Sequence, residues 1–201
     1  MSGEAQQNQA RMKAERWRVF CAVELPPEVR ARAAEHIAHL RKAMPDVRAG
    51  WEREEKLHVT LKFLGEIEAQ RVAALSNATA RATQSAQPFT LALENAGAFP
   101  THGVPRVLWL GIKDASGGLA LLQQSLEDEC ASESFQREER AFHPHLTIAR
   151  VRAPQGARRL AALHHEMGFP SLEFPVTELV VIRSEMGQGG SRYTAISRHQ
   201  L

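Results

Sequence analysis

Apolar positions change their period several times along this chain, and each change marks a predicted element. Trp17 to Leu25 (WRVFCAVEL) is dense in β-formers and reads as a first strand. Pro26 and Pro27 stop it and suit the first turn of a helix. From Glu28 to Met44 apolar residues recur at Val29, Ala33, Ile37, Leu40 and Met44. Those steps of four and three mark an amphipathic helix, which Pro45 ends. Leu57 to Leu64 returns to period two, with Val59, Leu61 and Phe63 directed to a core, and Gly65 breaks it. Glu68 to Gln84 is helical through Val72, Leu75, Ala78 and Ala82, and Phe89 to Ala96 is a strand.

Phe99 to Arg106 (FPTHGVPR) is a loop near the midpoint, suited to join two lobes. Val107 to Lys113 is a strand, and Ser116 can cap a helix whose apolar face is Leu119, Leu122, Leu126 and Cys130. His145 to Ala149 is a strand, with Leu146 and Ile148 toward the core. Ala157 to Met167 is helical and Gly168 terminates it. Val176 to Ser184 and Tyr193 to Ser197 close the chain as strands, with Gly187, Gly189 and Gly190 in the turn between them. The order strand, helix, strand, helix, strand therefore occurs twice.

The two halves share one pattern, His58-Val59-Thr60-Leu61 and His145-Leu146-Thr147-Ile148, offset by 87 residues. On a strand, alternate side chains share a face, so each His lies beside its Thr. Histidine, with a pKa near ~6.5, can give or take a proton close to neutrality. Two of them supply a base for an attacking water and an acid for a departing oxygen. Cyclic phosphodiester hydrolysis needs that pairing, and each proton transfer contributes ~10²–10⁴-fold. The Thr hydroxyls can hold the non-bridging phosphate oxygens. No metal or other cofactor is required by this scheme.

Composition adds less. The 201 residues form one domain or two tightly packed lobes, and 43% hydrophobic is ordinary for a soluble protein. A net charge of +2 gives no strong sequence-independent pull toward nucleic acid. Cys21 and Cys130 make no disulfide framework and are expected as reduced thiols of a cytoplasmic protein. The polar N-terminus lacks the apolar region of a signal peptide; residues 1–15 are expected to be a disordered tail and 16–201 the folded domain. No apolar run approaches the ~20 residues of a membrane helix.

Around the paired motifs, several residues have open roles. Strict alternation puts Ala149 on the His145 face, so Arg150 reaches a phosphate only if the strand ends or bulges there; phosphate ligand and structural ion pair both stand. Lys62 has the parity of His58 and either lines the cleft or reaches solvent, with solvent favoured. His143 is a candidate partner of His145. Trp51, Phe99 and Phe142 are candidates to stack a base or to fill the core. His36, His39, His164 and His165 read as surface residues, and Glu127-Asp128-Glu129 as a solvated helix side.

Three stretches carry a specific resemblance: residues 18–26 (RVFCAVELP), 57–65 (LHVTLKFLG) and 144–150 (PHLTIAR). They resemble the bacterial RNA 2′,3′-cyclic phosphodiesterase (LigT/ThpR-like) branch of the 2H phosphoesterase superfamily, over nearly the whole chain after the tail. The resemblance implies an α+β, bilobal fold with two pseudo-symmetric, antiparallel-rich sheets and flanking helices around a central cleft. It implies an enzyme that opens 2′,3′-cyclic phosphate ends of RNA to a 2′-phosphomonoester; tRNA fragments, processing intermediates and small cyclic nucleotides all carry that group, and a monomer is expected. A reversible 2′-5′ RNA ligase activity is implied as well. By resemblance His58 matches the proton donor, His145 the proton acceptor, and Thr60 and Thr147 the phosphate-binding hydroxyls. Two rivals remain at this point: a metallohydrolase using His143, His145 and His58, and a module that binds RNA ends without turnover.

Overall fold

The computed structural model describes residues 15–188 and 190–201. Most of the expected tail, residues 1–14, and Gly189 of the expected turn lie outside the described residues. Glu15 is described, and its carboxylate pairs with Arg183 at 3.3 Å.

The elements run β1 (Arg16–Glu24), α1 (Pro27–Ala43), β2 (Ala49–Trp51), β3 (His58–Glu68), α2 (Val72–Gln84), β4 (Phe89–Phe99), β5 (Val107–Lys113), α3 (Gly118–Ser132), β6 (His145–Val151), α4 (Ala157–Met167), β7 (Leu172–Val176), β8 (Glu178–Gly187) and β9 (Gly190–Gln200). They form an α+β fold of two antiparallel sheets with helices. One sheet has the order β3-β1-β8-β9 and the other β2-β6-β5-β4-β7. Helices α2 and α3 pack together against the first sheet, while α4 packs on β4 of the second and α1 packs on α4.

The 87-residue offset persists well beyond the His-x-Thr pattern. Val23 faces Val59 and Cys21 faces Lys62 in the first sheet; Leu110 faces Leu146 and Leu108 faces Ala149 in the second. The halves also exchange parts. β4 follows the first half but joins the second sheet, while β8 follows the second half and joins the first. One continuous core runs through both sheets, with Leu61, Leu108, Leu126, Ile148 and Leu160 all buried in it. A fully buried Leu or Ile stabilises by roughly 1.5–3 kcal/mol, so neither half can part from the other cheaply.

Two register shifts alter the faces that strict alternation predicts. In β3 the ladder to β1 pairs Thr60 with Ala22 and Lys62 with Cys21, leaving Leu61 as the extra residue. In β6 the ladder to β5 pairs Thr147 with Trp109 and Ala149 with Leu108, leaving Ile148 as the extra residue. A bulge of this kind reverses the parity of everything after it. Leu61 and Lys62 are consequently both buried, as are Ile148 and Ala149. Phe63, expected in the core, is 49% exposed, and Arg150 emerges on the face of His145 and Thr147. Gly65 does not end β3, which continues to Glu68 through a second shift at Leu64 where Gly65 adopts φ 69°.

Four polar residues expected in solvent are buried instead. Lys62 meets Glu127 of α3 at 2.6 Å and also donates to the Gln136 carbonyl at 2.8 Å. Glu127 in turn accepts from the Glu138 amide at 3.3 Å. Asp128 alone of the acidic trio is exposed. In the other lobe, His36 of α1 meets His164 of α4, Nε2 to Nδ1, at 2.9 Å. His164 Nε2 donates to the Trp109 carbonyl at 3.0 Å, beside the β5 register shift. A carbonyl only accepts, so His164 carries its proton on Nε2 and His36 donates to it. His39 and His165 are exposed, as expected. Helical period alone could not separate these cases, because each buried polar residue is made tolerable by a partner far away in sequence.

Burial, with neighbouring His164 and His39 adding to it, pushes His36 down to about 4 from an ordinary 6.5. The unfolded chain therefore takes up a proton there first as pH falls. Stability from this group is fully present above pH 6.5 and is lost between 6.5 and about 4. Urea unfolding at pH 7.5 and 4.5 should show this loss, and in His36→Gln the drop should be smaller by about 2–3 kcal/mol. Equal drops in the two proteins would refute the assignment.

Candidate active site

Both His-x-Thr motifs begin their strands, where β3 and β6 approach each other from the two sheets. Each histidine is held the same way. His58 Nδ1 donates to the Lys56 carbonyl at 2.6 Å, and His145 Nδ1 donates to the His143 carbonyl at 2.7 Å. A backbone carbonyl two residues upstream thus fixes the tautomer in both copies. In the neutral rings the proton is on Nδ1, and Nε2 keeps its lone pair. His143 contributes through its backbone; its side chain is exposed.

Aromatic rings fix the imidazole planes. Phe20 stacks on His58 at 4.7 Å between centroids, and Tyr193 meets it edge-on at 5.5 Å. Phe99 meets His145 edge-on at 5.3 Å and contacts Trp109, which lies against Gly97. A Cβ on Gly97 would fall 2.2 Å from the indole, so only glycine lets Trp109 lie down there. Phe99, a base-stacking candidate from the sequence, therefore supports His145. Trp51 and Phe142 are partly buried and pack on the core. Sequence reasoning missed Phe20 and Tyr193. The signal for Phe20 lies in β1, which is apolar on both faces although helices cover only one.

Thr60 and Thr147 stand beside their histidines, half-buried, and among the described residues neither hydroxyl has a hydrogen-bond partner. Arg150 makes no direct ion pair among the described residues. Its charge reaches His58, Glu52 and Tyr193, which places it between the two lobes. The second bulge thus meets the condition under which Arg150 joins the His face. On the first sheet the matching position is Phe63, with Arg18 over its ring at 4.8 Å.

Burial lowers the His58 pKa below the usual histidine value. Its bond to the Lys56 carbonyl and the Glu24 carboxylate oppose that change, while Arg150 adds to it. Glu52 is raised by burial, against the pull of Arg150 and Lys56. Tyr193 is raised by burial and by Glu52. Among the described residues no group of three or more His, Cys, Asp or Glu side chains is placed to hold a metal ion, so the His143-His145-His58 set is not assembled. Among the same residues no helix is long and apolar enough to cross a membrane.

Comparison with known proteins assigns the chain to a family and matches its fold. The family model for the 2′-5′ RNA ligase superfamily matches residues 25–188. An RNA 2′,3′-cyclic phosphodiesterase of Escherichia coli K12 is 34% identical over 185 residues, spanning 92% of this chain and 96% of the relative. Another, from Methanothermobacter thermautotrophicus, is 31% identical over 187 residues, spanning 92% and 98%. A crystal structure from Thermus thermophilus matches with a TM-score of 0.75 at 28% identity, covering 92% of this chain and 97% of that one. E. coli LigT complexed with 3′-AMP matches with a TM-score of 0.70 at 32% identity, covering 93% and 99%. The chain belongs to the 2′-5′ RNA ligase superfamily. Within it, the protein is one of the RNA 2′,3′-cyclic phosphodiesterase enzymes, which are hydrolases.

The paired carbonyl clamps generate a spectroscopic expectation. In ¹⁵N-labelled protein above pH 8, both His58 and His145 should show Nδ1 protonated and Nε2 bare. His58 should titrate below the ordinary ~6.5, and Phe20→Ala, which admits water beside the ring, should move it upward. A neutral Nε2–H form at either residue would contradict the clamp.

Proposed function

We propose that the protein hydrolyses the terminal 2′,3′-cyclic phosphate of RNA to a 2′-phosphomonoester by metal-independent acid–base catalysis at His58 and His145. The observation that carries this reading is the matched pair of carbonyl clamps, which leaves both Nε2 atoms as the groups able to exchange protons. In the hydrolytic direction His145 takes a proton from water as it attacks phosphorus. His58 gives a proton to the departing 3′ oxygen as the P–O3′ bond breaks. The reverse direction exchanges the two roles, and an RNA hydroxyl in place of water gives 2′-5′ ligation.

His58 must be protonated to act as the acid, although burial and Arg150 lower its pKa in the free site. The lowered value makes the protonated ring a better donor. An arriving phosphate monoanion offsets the Arg150 charge and favours protonation. Thr60 and Thr147 each hold a non-bridging oxygen, which keeps the attacking and departing oxygens in line. Arg150 stabilises the charge that accumulates on those oxygens. The substrate is an RNA end that carries the cyclic phosphate.

Hydrolysis of a nucleoside 2′,3′-cyclic phosphate should be lost, by about 10³-fold or more, in His58→Ala and in His145→Ala, with unfolding curves close to wild type. Thr60→Ala and Thr147→Ala should be milder, since one hydrogen bond to an anion is worth roughly 1.5–3 kcal/mol. Full activity in either histidine variant would sink the mechanism. The dependence of kcat/KM on pH should be bell-shaped. Phosphorus NMR of the product should place the phosphate on the 2′ oxygen; a 3′-phosphate would overturn the regiochemistry.

A further inference from the structure

One charged group at this site has no part in the proton transfers. Glu52 follows β2, where Gly50 faces Arg150 and Trp51 faces Ala149 across the ladder. Its amide donates to the Ile148 carbonyl at 2.9 Å, which ties it to the second bulge. Residues opposite one another in a ladder share a face, and so do residues two apart on a strand. Gly50 shares the Arg150 face, and Glu52 follows two residues on, just past the last ladder pair of the strand. The carboxylate is half-buried there. It lies within electrostatic reach of Arg150 from β6, Lys56 from the short 3₁₀ turn before β3, and Tyr193 from β9. Arg18 of β1 also acts on Tyr193, and Glu24 and Arg150 act on His58. Glu52 makes no direct ion pair with Arg150 among the described residues, so the guanidinium is balanced without being capped.

The reaction changes the charge of its ligand. A cyclic phosphodiester carries one negative charge. Water adds OH to phosphorus and H to the departing 3′ oxygen, and the resulting monoester has a second ionisation near pKa ~6. At neutral pH the product is therefore largely a dianion. Attraction to a fixed cation scales with ligand charge, so a site built on Arg150 and Lys56 alone would hold its product more tightly than its substrate. A carboxylate within electrostatic reach of those cations opposes this in proportion to the same charge.

We infer that Glu52 is a specificity-determining residue, which lowers the affinity of the phosphate site for dianionic phosphomonoesters and so lets the product leave. The inference rests on the hydrolysis proposed above. It concerns binding of the product, which can be measured without turnover.

The test compares wild type, Glu52→Gln and Glu52→Asp, with a nucleoside 2′,3′-cyclic phosphate as substrate and the nucleoside 2′-monophosphate as inhibitor. At about pH 8, Glu52→Gln should lower the product inhibition constant by about tenfold and KM by only about threefold, because the dianion feels the lost charge twice. At about pH 5 the product is mostly a monoanion and the two factors should converge. Both also shrink there as the Glu52 carboxyl, pushed up by burial, begins to take up a proton. Glu52→Asp, which keeps the charge, should resemble wild type. Equal factors for substrate and product at pH 8, or a Glu52→Asp that behaves like Glu52→Gln, would assign Glu52 a merely structural role and overturn the inference. Should Glu52→Gln fail to fold, Glu52→Ser carries the same expectation. Calorimetric titration of the three proteins with the monophosphate separates the two readings. A wild type without turnover refutes the hydrolysis, while unchanged monophosphate affinity in Glu52→Gln refutes the role of Glu52.

Discussion

The site depends on a constraint in β-geometry: one extra residue placed at the same point after each His-x-Thr pair. Leu61 and Ile148 occupy those points and are buried, so each bulge is anchored by apolar contact rather than by hydrogen bonds alone. Before the bulge, His and Thr face the opposing lobe. After it the strand turns inside out, and the two lobes use the inversion differently. The first sends Lys62 into the core and brings out Phe63; the second sends in Ala149 and brings out Arg150. Pseudo-symmetry in the backbone thus yields an asymmetric site, with one cationic side and one aromatic side.

The inverted Lys62 also reaches the other half. Through Glu127 and the Gln136 carbonyl it fastens the segment that leads to His143 and His145. The ion pair is almost without water, its side chains 3% and 9% exposed, and every added hydrogen bond offsets some of the cost of burying it. Losing one partner of such a pair costs about 3–5 kcal/mol, whereas an apolar pair of the same volume can be neutral. The His36–His164 pair joins the halves in the second lobe, and its chain ends on the carbonyl of Trp109, opposite Thr147. Each lobe is therefore held across the halves by one buried polar pair as well as by exchanged strands.

Much of the fold was legible locally. The four helices were read from their three-to-four spacing, and the longer strands from β-branched and aromatic runs. The boundaries drifted where another element intervened: α2 starts at Val72 after a short 3₁₀ turn rather than at Glu68, and β4 runs on to Phe99 through a shift at Asn95. β2 and β7 were not recognised. β2 has three residues, and β7 carries Pro175 at the sheet edge, so neither offers a period to read.

By itself the sequence determined the duplication, the two histidines with their threonines, and the phosphoesterase chemistry they suit, because these follow from residue type and a spacing of two on a strand. Tertiary structure decided the rest. It set the tautomer of each histidine through an upstream carbonyl, and it brought Phe20, Tyr193 and Phe99 against the rings. It turned Arg150 outward and Lys62 inward, and it set Glu52 within electrostatic reach of Arg150. The physical reason is that parity along a strand is a local property until a bulge reverses it. Where the bulge falls is fixed by the neighbouring strands and the core beneath them, not by the strand's own residues.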